Sequence, residues 1–176
     1  MRKVYLIIIT LLSIACFSCK KTYCPAFPAE LNYYPYLTGQ EIRFSNSLHE
    51  IQSFIISKKE NSKAYSFDWN CKCECNLYTI FHANSNQNSF NIRCEMLIVG
   101  YTNPSSIYIE NRFGSDSFVK SITPSSVSYG EVGKFLDETI YFENENNKII
   151  KKMVISKNKG IVSYTTADGE EWNLVD

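Results

Sequence analysis

Short apolar-rich runs recur at regular intervals through the second part of the chain, from Gln40 to the end. Runs of this length, rich in β-branched and aromatic residues and bounded by polar residues, are typical of β-strands. The runs are 41–46, 51–57, 64–69, 76–83, 89–100, 106–112, 117–122, 139–143, 148–156, 160–166 and 171–175. The pattern predicts an all-β domain.

The breaks between these runs carry residues that favour turns, as in the Asn-rich segment 84–88 and the segment 157–160. Asp168-Gly169 is the strongest hairpin signal, because a type I′ turn needs positive φ angles that Asp and Gly tolerate. Strands joined by brief turns are usually neighbours in a sheet. We therefore expect an antiparallel meander that forms a sandwich or an up-and-down barrel.

The run 89–99 has the clearest alternation of apolar and polar positions, which predicts a strand buried on one face. Its apolar positions are Phe90, Ile92, Cys94, Met96 and Ile98. Helical spacing is confined to one short segment, 130–138, where Val132, Phe135 and Leu136 fall at i, i+3 and i+4. At most one short helix is expected.

Residues 1–18 have the zones of a bacterial export signal. A basic start, Arg2-Lys3, precedes the apolar run 4–17, and the run ends at Ser18-Cys19. As a helix this run reaches about 21 Å, which is short of the ~30 Å hydrocarbon core of a bilayer. A small residue directly before a cysteine is the mark of a lipoprotein signal, so we predict acylation at Cys19, with Cys16 as the alternative.

The predicted organisation is a lipoprotein signal peptide over 1–18, an arm over 19–39 and one antiparallel β domain over 40–176. The arm contains Pro25, Pro28 and Pro35, which exclude a continuous helix or a central strand.

Three segments carry a resemblance to a known family. They are Phe17-Ser18-Cys19-Lys20-Lys21, the opening Pro35-Tyr36-x-x-Gly39-Gln40-x-Ile42-x-Phe44, and the closing Lys159-Gly160-Ile161-Val162-x-Tyr164 with Asp168-Gly169-x-x-Trp172-x-Leu174. The chain resembles small lipoproteins of Bacteroidetes, strongly in the leader and loosely in the domain. The resemblance implies a β-rich domain anchored by lipid at the cell envelope, and it implies no catalytic residue.

Composition and charge exclude one class of function. The 12 Tyr and 11 Phe suit half-buried strands. The 18 basic and 18 acidic residues balance, and loss of Arg2 and Lys3 with the leader makes the remainder slightly acidic. Such a domain lacks the basic surface of a nucleic-acid-binding protein, so that class is excluded.

Cys71, Cys73 and Cys75 fall on alternate positions, which places their side chains on one face of a strand. Cys94 lies on the apolar face of the following run. If the loop between the two strands spans 83–86, Cys75 lies opposite Cys94, and a neighbouring register sets Cys73 opposite Cys94 instead. Either register fits the ~4.4–6.8 Å between the Cα atoms of a disulfide. We predict one of these two bridges.

Two other interpretations of the cysteines stay open. Export favours disulfides, with Cys24 as a partner for a remaining cysteine, but free cysteines also pack as small hydrophobes. A thiolate metal site of Cys71, Cys73, Cys75 and Cys94 is disfavoured, because alternate residues of a straight strand lie ~6.6 Å apart whereas zinc-bound sulfurs lie within ~4 Å. We predict no metal site and no cofactor.

No catalytic motif accompanies these features. His49 falls in a predicted turn, where we expect it to be solvated, and we expect His82 to pack across its strand. The carboxylates in predicted turns are interpreted as solvated charges; they are Glu143, Glu145, Glu170 and Glu171. The aromatic cluster Tyr33-Tyr34-Pro35-Tyr36 is expected to pack on the sheet, with stacking on sugars as the alternative.

The sequence therefore favours a non-enzymatic binding or assembly lipoprotein, anchored in a membrane by lipid and meeting a protein or glycan partner. We expect it at the periplasmic or outer face of the cell envelope, with the outer membrane favoured. The alternatives are a lipocalin-like carrier of an apolar ligand and, less favoured, an enzyme whose site carries no recognisable motif.

Overall fold

The computed structural model describes residues 26–67, 73–85, 91–99, 106–122 and 137–175. A 3₁₀ turn, Ala29–Leu31, precedes ten strands in these ranges. The strands are β1 (Glu41–Ser45), β2 (Ile51–Phe67), β3 (Cys73–Ser85), β4 (Ile92–Val99), β5 (Ser106–Phe113), β6 (Asp116–Ile122), β7 (Thr139–Glu143), β8 (Ile150–Ser156), β9 (Gly160–Thr166) and β10 (Glu171–Val175). The predicted all-β class is confirmed.

The ten strands form one antiparallel sheet in the order β6-β5-β4-β3-β2-β1-β10-β9-β8-β7. Two meanders, β1 to β6 and β7 to β10, are joined where β10 pairs with β1. The sheet curls into a nearly closed barrel with β6 and β7 at its two edges. Of the two architectures predicted, the barrel is the one that forms.

β2 is one 17-residue strand where the sequence pattern predicts two. Its polar middle extends the ladder with β3, and a β-bulge shifts the register between Ile56 and Lys58. Ile56 pairs with the buried Ala83 before the bulge, and Lys59 pairs with the buried Phe81 after it. Since an extra residue reverses which side chains face the core, the bulge turns polar side chains of β2 toward the barrel interior.

The helix predicted over 130–138 lies, except for residues 137–138, outside the described residues. The predicted signal peptide lies outside them as well. No helix within the described ranges has the length and the apolar character needed to cross a membrane.

The interior faces of the strands form one core of buried side chains. Along β4, for example, Ile92, Cys94, Met96 and Ile98 are each at most 1% exposed, while the residues between them are exposed or half-buried. The alternation read from the sequence thus identifies the buried face of β4 correctly.

The edges of the barrel, β6 and β7, meet through side chains. Within the described ranges no backbone ladder joins the two strands. The Asp116 carboxylate accepts hydrogen bonds from the backbone N–H groups of Ile149 and Ile150, and the Phe118 and Phe142 rings lie 6.2 Å apart beneath them. A surface groove of about 230 Å³ remains outside these rings. Asp116 therefore closes one end of the seam.

We expect Asp116→Ala to lower the free energy of unfolding by about 2 kcal/mol, because two backbone N–H groups at the seam lose their acceptor. Asp116→Asn keeps one acceptor oxygen and is expected to lose less. Urea denaturation measures both. Ser115→Ala, in the exposed turn before β6, is the control and should change the stability by less than about 0.5 kcal/mol. An unchanged Asp116→Ala variant would show that the seam does not depend on this carboxylate.

Candidate functional site

Residues 31–36 of the arm ahead of β1 lie inside the barrel. Tyr33, Tyr34 and Tyr36 are each at most 3% exposed. The rings of Tyr34 and Tyr36 lie 5.1 Å and 4.7 Å from the ring of Phe81, which projects inward from β3. These tyrosines pack against the sheet and present no exposed surface for stacking on sugars.

Each of the three tyrosine hydroxyls has a hydrogen-bond partner. Tyr34 donates to Asn111 Oδ1 on β5 at 2.8 Å, Tyr33 donates to the carbonyl of Asp137, and Tyr36 accepts from the Ile161 N–H on β9 at 2.6 Å. Burial raises the pKa of all three phenols above their ordinary value. The hydroxyls therefore stay protonated and hold the arm to opposite walls of the barrel.

Tyr36 fits the barrel because Gly160 opens β9. A Cβ atom on Gly160 would lie 2.0 Å from the Tyr36 hydroxyl oxygen. Gly160 also has φ +85°, a left-handed conformation that side chains with a Cβ rarely adopt. Space and backbone geometry thus require glycine at the same position.

The predicted disulfides of Cys94 are wrong. In the β3–β4 ladder Cys94 lies opposite Phe81, and Cys75 lies six residues farther along β3, about 20 Å away. Cys73 is farther still, and Cys94 is a free, buried thiol. The predicted inward face was right, but the loop is longer than assumed and the pairing shifts along the strand.

The same register separates the members of the disfavoured thiolate cluster. Cys94 lies far from the backbone of Cys73 and Cys75, while Cys71 and Cys24 lie outside the described residues, as do Cys16 and Cys19. No group of metal-ligating side chains occurs among the described residues.

Cys94 lies near Tyr34 and Tyr36 of the arm and near Lys59 of β2. Burial raises the pKa of its thiol well above the usual value, and the nearby Lys59 ammonium lowers it by less. Since the thiolate is the nucleophile and the metal ligand, this cysteine remains an inert thiol at neutral pH.

Lys59 is the first charged residue after the bulge in β2 whose side chain turns inward. Its Nζ donates to Thr79 Oγ1 at 2.6 Å and lies 5.9 Å from the centroid of the Tyr34 ring. Burial lowers its pKa to about 8. A charged lysine that has lost part of its hydration lowers the stability of the fold. Residues that lower stability are often retained for function, so Lys59 is a candidate for binding a ligand. The sequence pattern did not single out Lys59, because a bulge leaves no periodic signal.

A groove opens beside Lys59 at one mouth of the barrel. It consists of two adjoining cavities of about 250 Å³ and about 220 Å³ that share Phe27 and Asn61. The arm supplies the apolar wall of this mouth groove, with Phe27 and Leu31, and the inner face of β2 and β3 supplies Asn61, Lys63 and Thr79. No carboxylate is among the described side chains that line it.

The two histidines lie away from the mouth groove. His49 is exposed in the β1–β2 turn, with φ 62°. His82 is half-buried between Lys58 of β2 and Arg93 of β4, opposite both in the ladders. Burial, followed by these two positive charges, lowers its pKa. These placements match the solvated turn predicted for His49 and the cross-strand packing predicted for His82.

The carboxylates singled out in the sequence have structural partners or face solvent. Glu143 pairs with Lys152 at 2.8 Å and Glu145 with Lys151 at 3.7 Å. Glu170 accepts hydrogen bonds from Asn46 and Trp172, and Glu171 is exposed.

No protein-family model, curated protein or solved structure matches the chain at a significant level. The site is therefore interpreted from its own residues.

We expect Gly160→Ala to destabilise the protein by about 3 kcal/mol, combining a left-handed alanine with displacement of the Tyr36 ring. Gly169→Ala is the matched control, because Gly169 has φ +94° and no atom lies within 4 Å of the position that its Cβ would take. This control should cost about 1 kcal/mol. Thermal or urea unfolding compares the two variants, and equal losses would contradict the contact with Tyr36.

Proposed function

We propose that the protein is a non-enzymatic binding module of the bacterial cell envelope, held to a membrane by acyl chains on Cys19 and engaging a protein or glycan partner through its surface. The observation that carries this proposal is the burial of Tyr33, Tyr34 and Tyr36 inside the barrel. The chain's own arm fills the space that a carrier leaves for its cargo, so the outer surface and the mouth are what remain for recognition.

The chemistry of the interior also favours binding over catalysis. Cys94 is buried and its pKa is raised, so it does not supply a nucleophile at neutral pH. The three arm phenols are likewise held in their neutral form by burial. Cys94 and the three phenols therefore contribute packing and hydrogen bonds, and none of these four groups is an activated base or nucleophile.

The position of the arm supports a particular orientation on the membrane. Ala26 lines the mouth groove, and Cys19 precedes it by seven residues in the sequence. An extended chain spans at most about 3.6 Å per residue, so the groove lies within about 25 Å of the proposed lipid. An anchor this short turns the groove toward the membrane surface and the opposite end of the barrel toward other partners.

A lipocalin-like carrier is the second candidate, favoured by the nearly closed barrel and by one polar group in its lumen. The Nδ2 amide of Asn111 is buried and has no hydrogen-bond partner among the described residues. A ligand oxygen would satisfy this donor, but only if the arm made room for the ligand.

Titration with a fluorescent apolar probe, 1-N-phenylnaphthylamine, separates the two candidates. We expect the unlipidated Cys19→Ser protein to show no saturable uptake of one equivalent, because the arm occupies the lumen. Tyr141→Ala, which removes a ring that is 70% exposed, measures any signal from the outer surface. Saturable uptake of one equivalent that survives Tyr141→Ala would support the carrier and overturn the surface-binding proposal.

Acylation is expected at Cys19. In a bacterial host fed an alkyne-labelled palmitate, Cys19→Ser should lose the label and Cys16→Ser should retain it, and the intact mass of the native protein should correspond to a chain that begins at residue 19. A chain beginning at Cys16 would contradict the position of the lipid. A product without any acyl chain would contradict the lipoprotein class.

A further inference from the structure

We infer that the mouth groove binds the anionic oxygen group of a small amphiphile, with Thr79 and Lys59 receiving the anion and Phe27 and Leu31 holding the apolar part. The inference goes beyond the proposed function, because it adds a small-molecule ligand to the proposed protein or glycan partner. It rests on that function only in treating the protein as a binding module.

Thr79 links the groove to the charge behind it. Its Oγ1 accepts the hydrogen bond from Lys59 Nζ at 2.6 Å, and the same residue lines the larger cavity. A hydroxyl that accepts from an ammonium keeps its own proton to donate. Thr79 can therefore donate into the groove while the positive charge of Lys59 lies one hydrogen bond behind it.

The positive charge beside the groove favours a negatively charged ligand. Asn61 lines both cavities, and no carboxylate is among the described side chains that line them. Within the described residues the Lys59 ammonium contacts a hydroxyl and the face of an aromatic ring. A partly desolvated cation with such neighbours is stabilised by an incoming anion.

The apolar wall of the groove favours a ligand with an apolar part. Phe27 and Leu31 come from the arm and Leu77 from β3, and together they face the polar side of the groove. Cavities of about 220–250 Å³ are smaller than the ~300–1,000 Å³ of drug-sized sites. The groove thus suits a carboxylate or phosphate head with a short alkyl tail.

Isothermal titration calorimetry of the Cys19→Ser protein with octanoate tests the inference. We expect saturable binding of octanoate that is at least about tenfold tighter than that of acetate, which lacks the tail, or 1-octanol, which lacks the charge. Octyl phosphate compares the second source of the same anionic chemistry. Equal affinities for octanoate and 1-octanol would overturn the inference by showing an apolar groove alone.

Matched variants locate the site. Lys59→Met and Thr79→Val should each weaken octanoate binding by about tenfold or more, while Lys58→Met, which removes an outward-facing lysine paired with Glu60, should leave it within about twofold. Circular dichroism checks that each variant is folded. Unchanged binding in both Lys59→Met and Thr79→Val would overturn the assignment.

The pH dependence of octanoate binding distinguishes a charge role of Lys59 from a purely structural one. Because the pKa of Lys59 is about 8, its charge is lost as the pH rises, and octanoate binding should weaken by about fivefold or more between pH 7 and pH 9.5. Cys94 of β4 and Tyr34 of the arm face Lys59, and burial raises the pKa of both groups, so they stay protonated. The loss should be absent in Lys59→Met.

The outcomes separate this inference from the proposed function. Absence of saturable binding for octanoate and octyl phosphate would overturn the ligand class and leave the anchored binding module intact. Uptake of the apolar probe that octanoate does not displace would place the probe in the lumen and overturn the proposed function even if octanoate bound at the mouth.

Discussion

A barrel must fill the space that it encloses. The diameter of a barrel grows with its number of strands, and about eight strands give an interior that inward side chains just fill. Ten strands enclose more, and here the excess is occupied by the arm, with Tyr34 and Tyr36 against Phe81 at the centre. The contact of Tyr36 with Gly160 shows how closely arm and sheet are matched. The rest of the architecture depends on this packing, because an unfilled interior would forfeit the contacts that hold its walls.

At the mouth of the barrel the interior is polar, and the bulge in β2 is the reason. Before it, Phe54 and Ile56 continue the apolar lining, and after it Lys59 and Asn61 face the same interior opposite Phe81 and Thr79. One extra residue thus divides the barrel into an apolar body and a polar entrance. A feature of local backbone geometry thereby places charge where the arm leaves room for a ligand.

The sequence predicted much of the fold because alternation reports directly on burial. It identified most strands and the inward face of β4, including Cys94. It did not predict which residue of β3 pairs with Cys94. Alternation determines the face of a strand, whereas loop length determines the pairing. It also divided β2 at its polar middle, since a run of polar residues resembles a turn unless its partners in β3 are known. The arm's burial and the inward turn of Lys59 depend on contacts between distant parts of the chain, which no local pattern records.

The contact between Tyr36 and β9 has a kinetic consequence. Tyr36 and Ile161 are separated by 125 positions, and β1 likewise finds its second neighbour in β10. Contacts between residues so far apart in the sequence form only after a long loop has closed, and they therefore make folding slower. The contacts of Tyr36 with β9 and of β1 with β10 therefore cannot form until β9 and β10 have been synthesised, so the interior is completed late. Under the proposed export to the cell envelope, this delay would keep the chain competent to cross a membrane in an extended form.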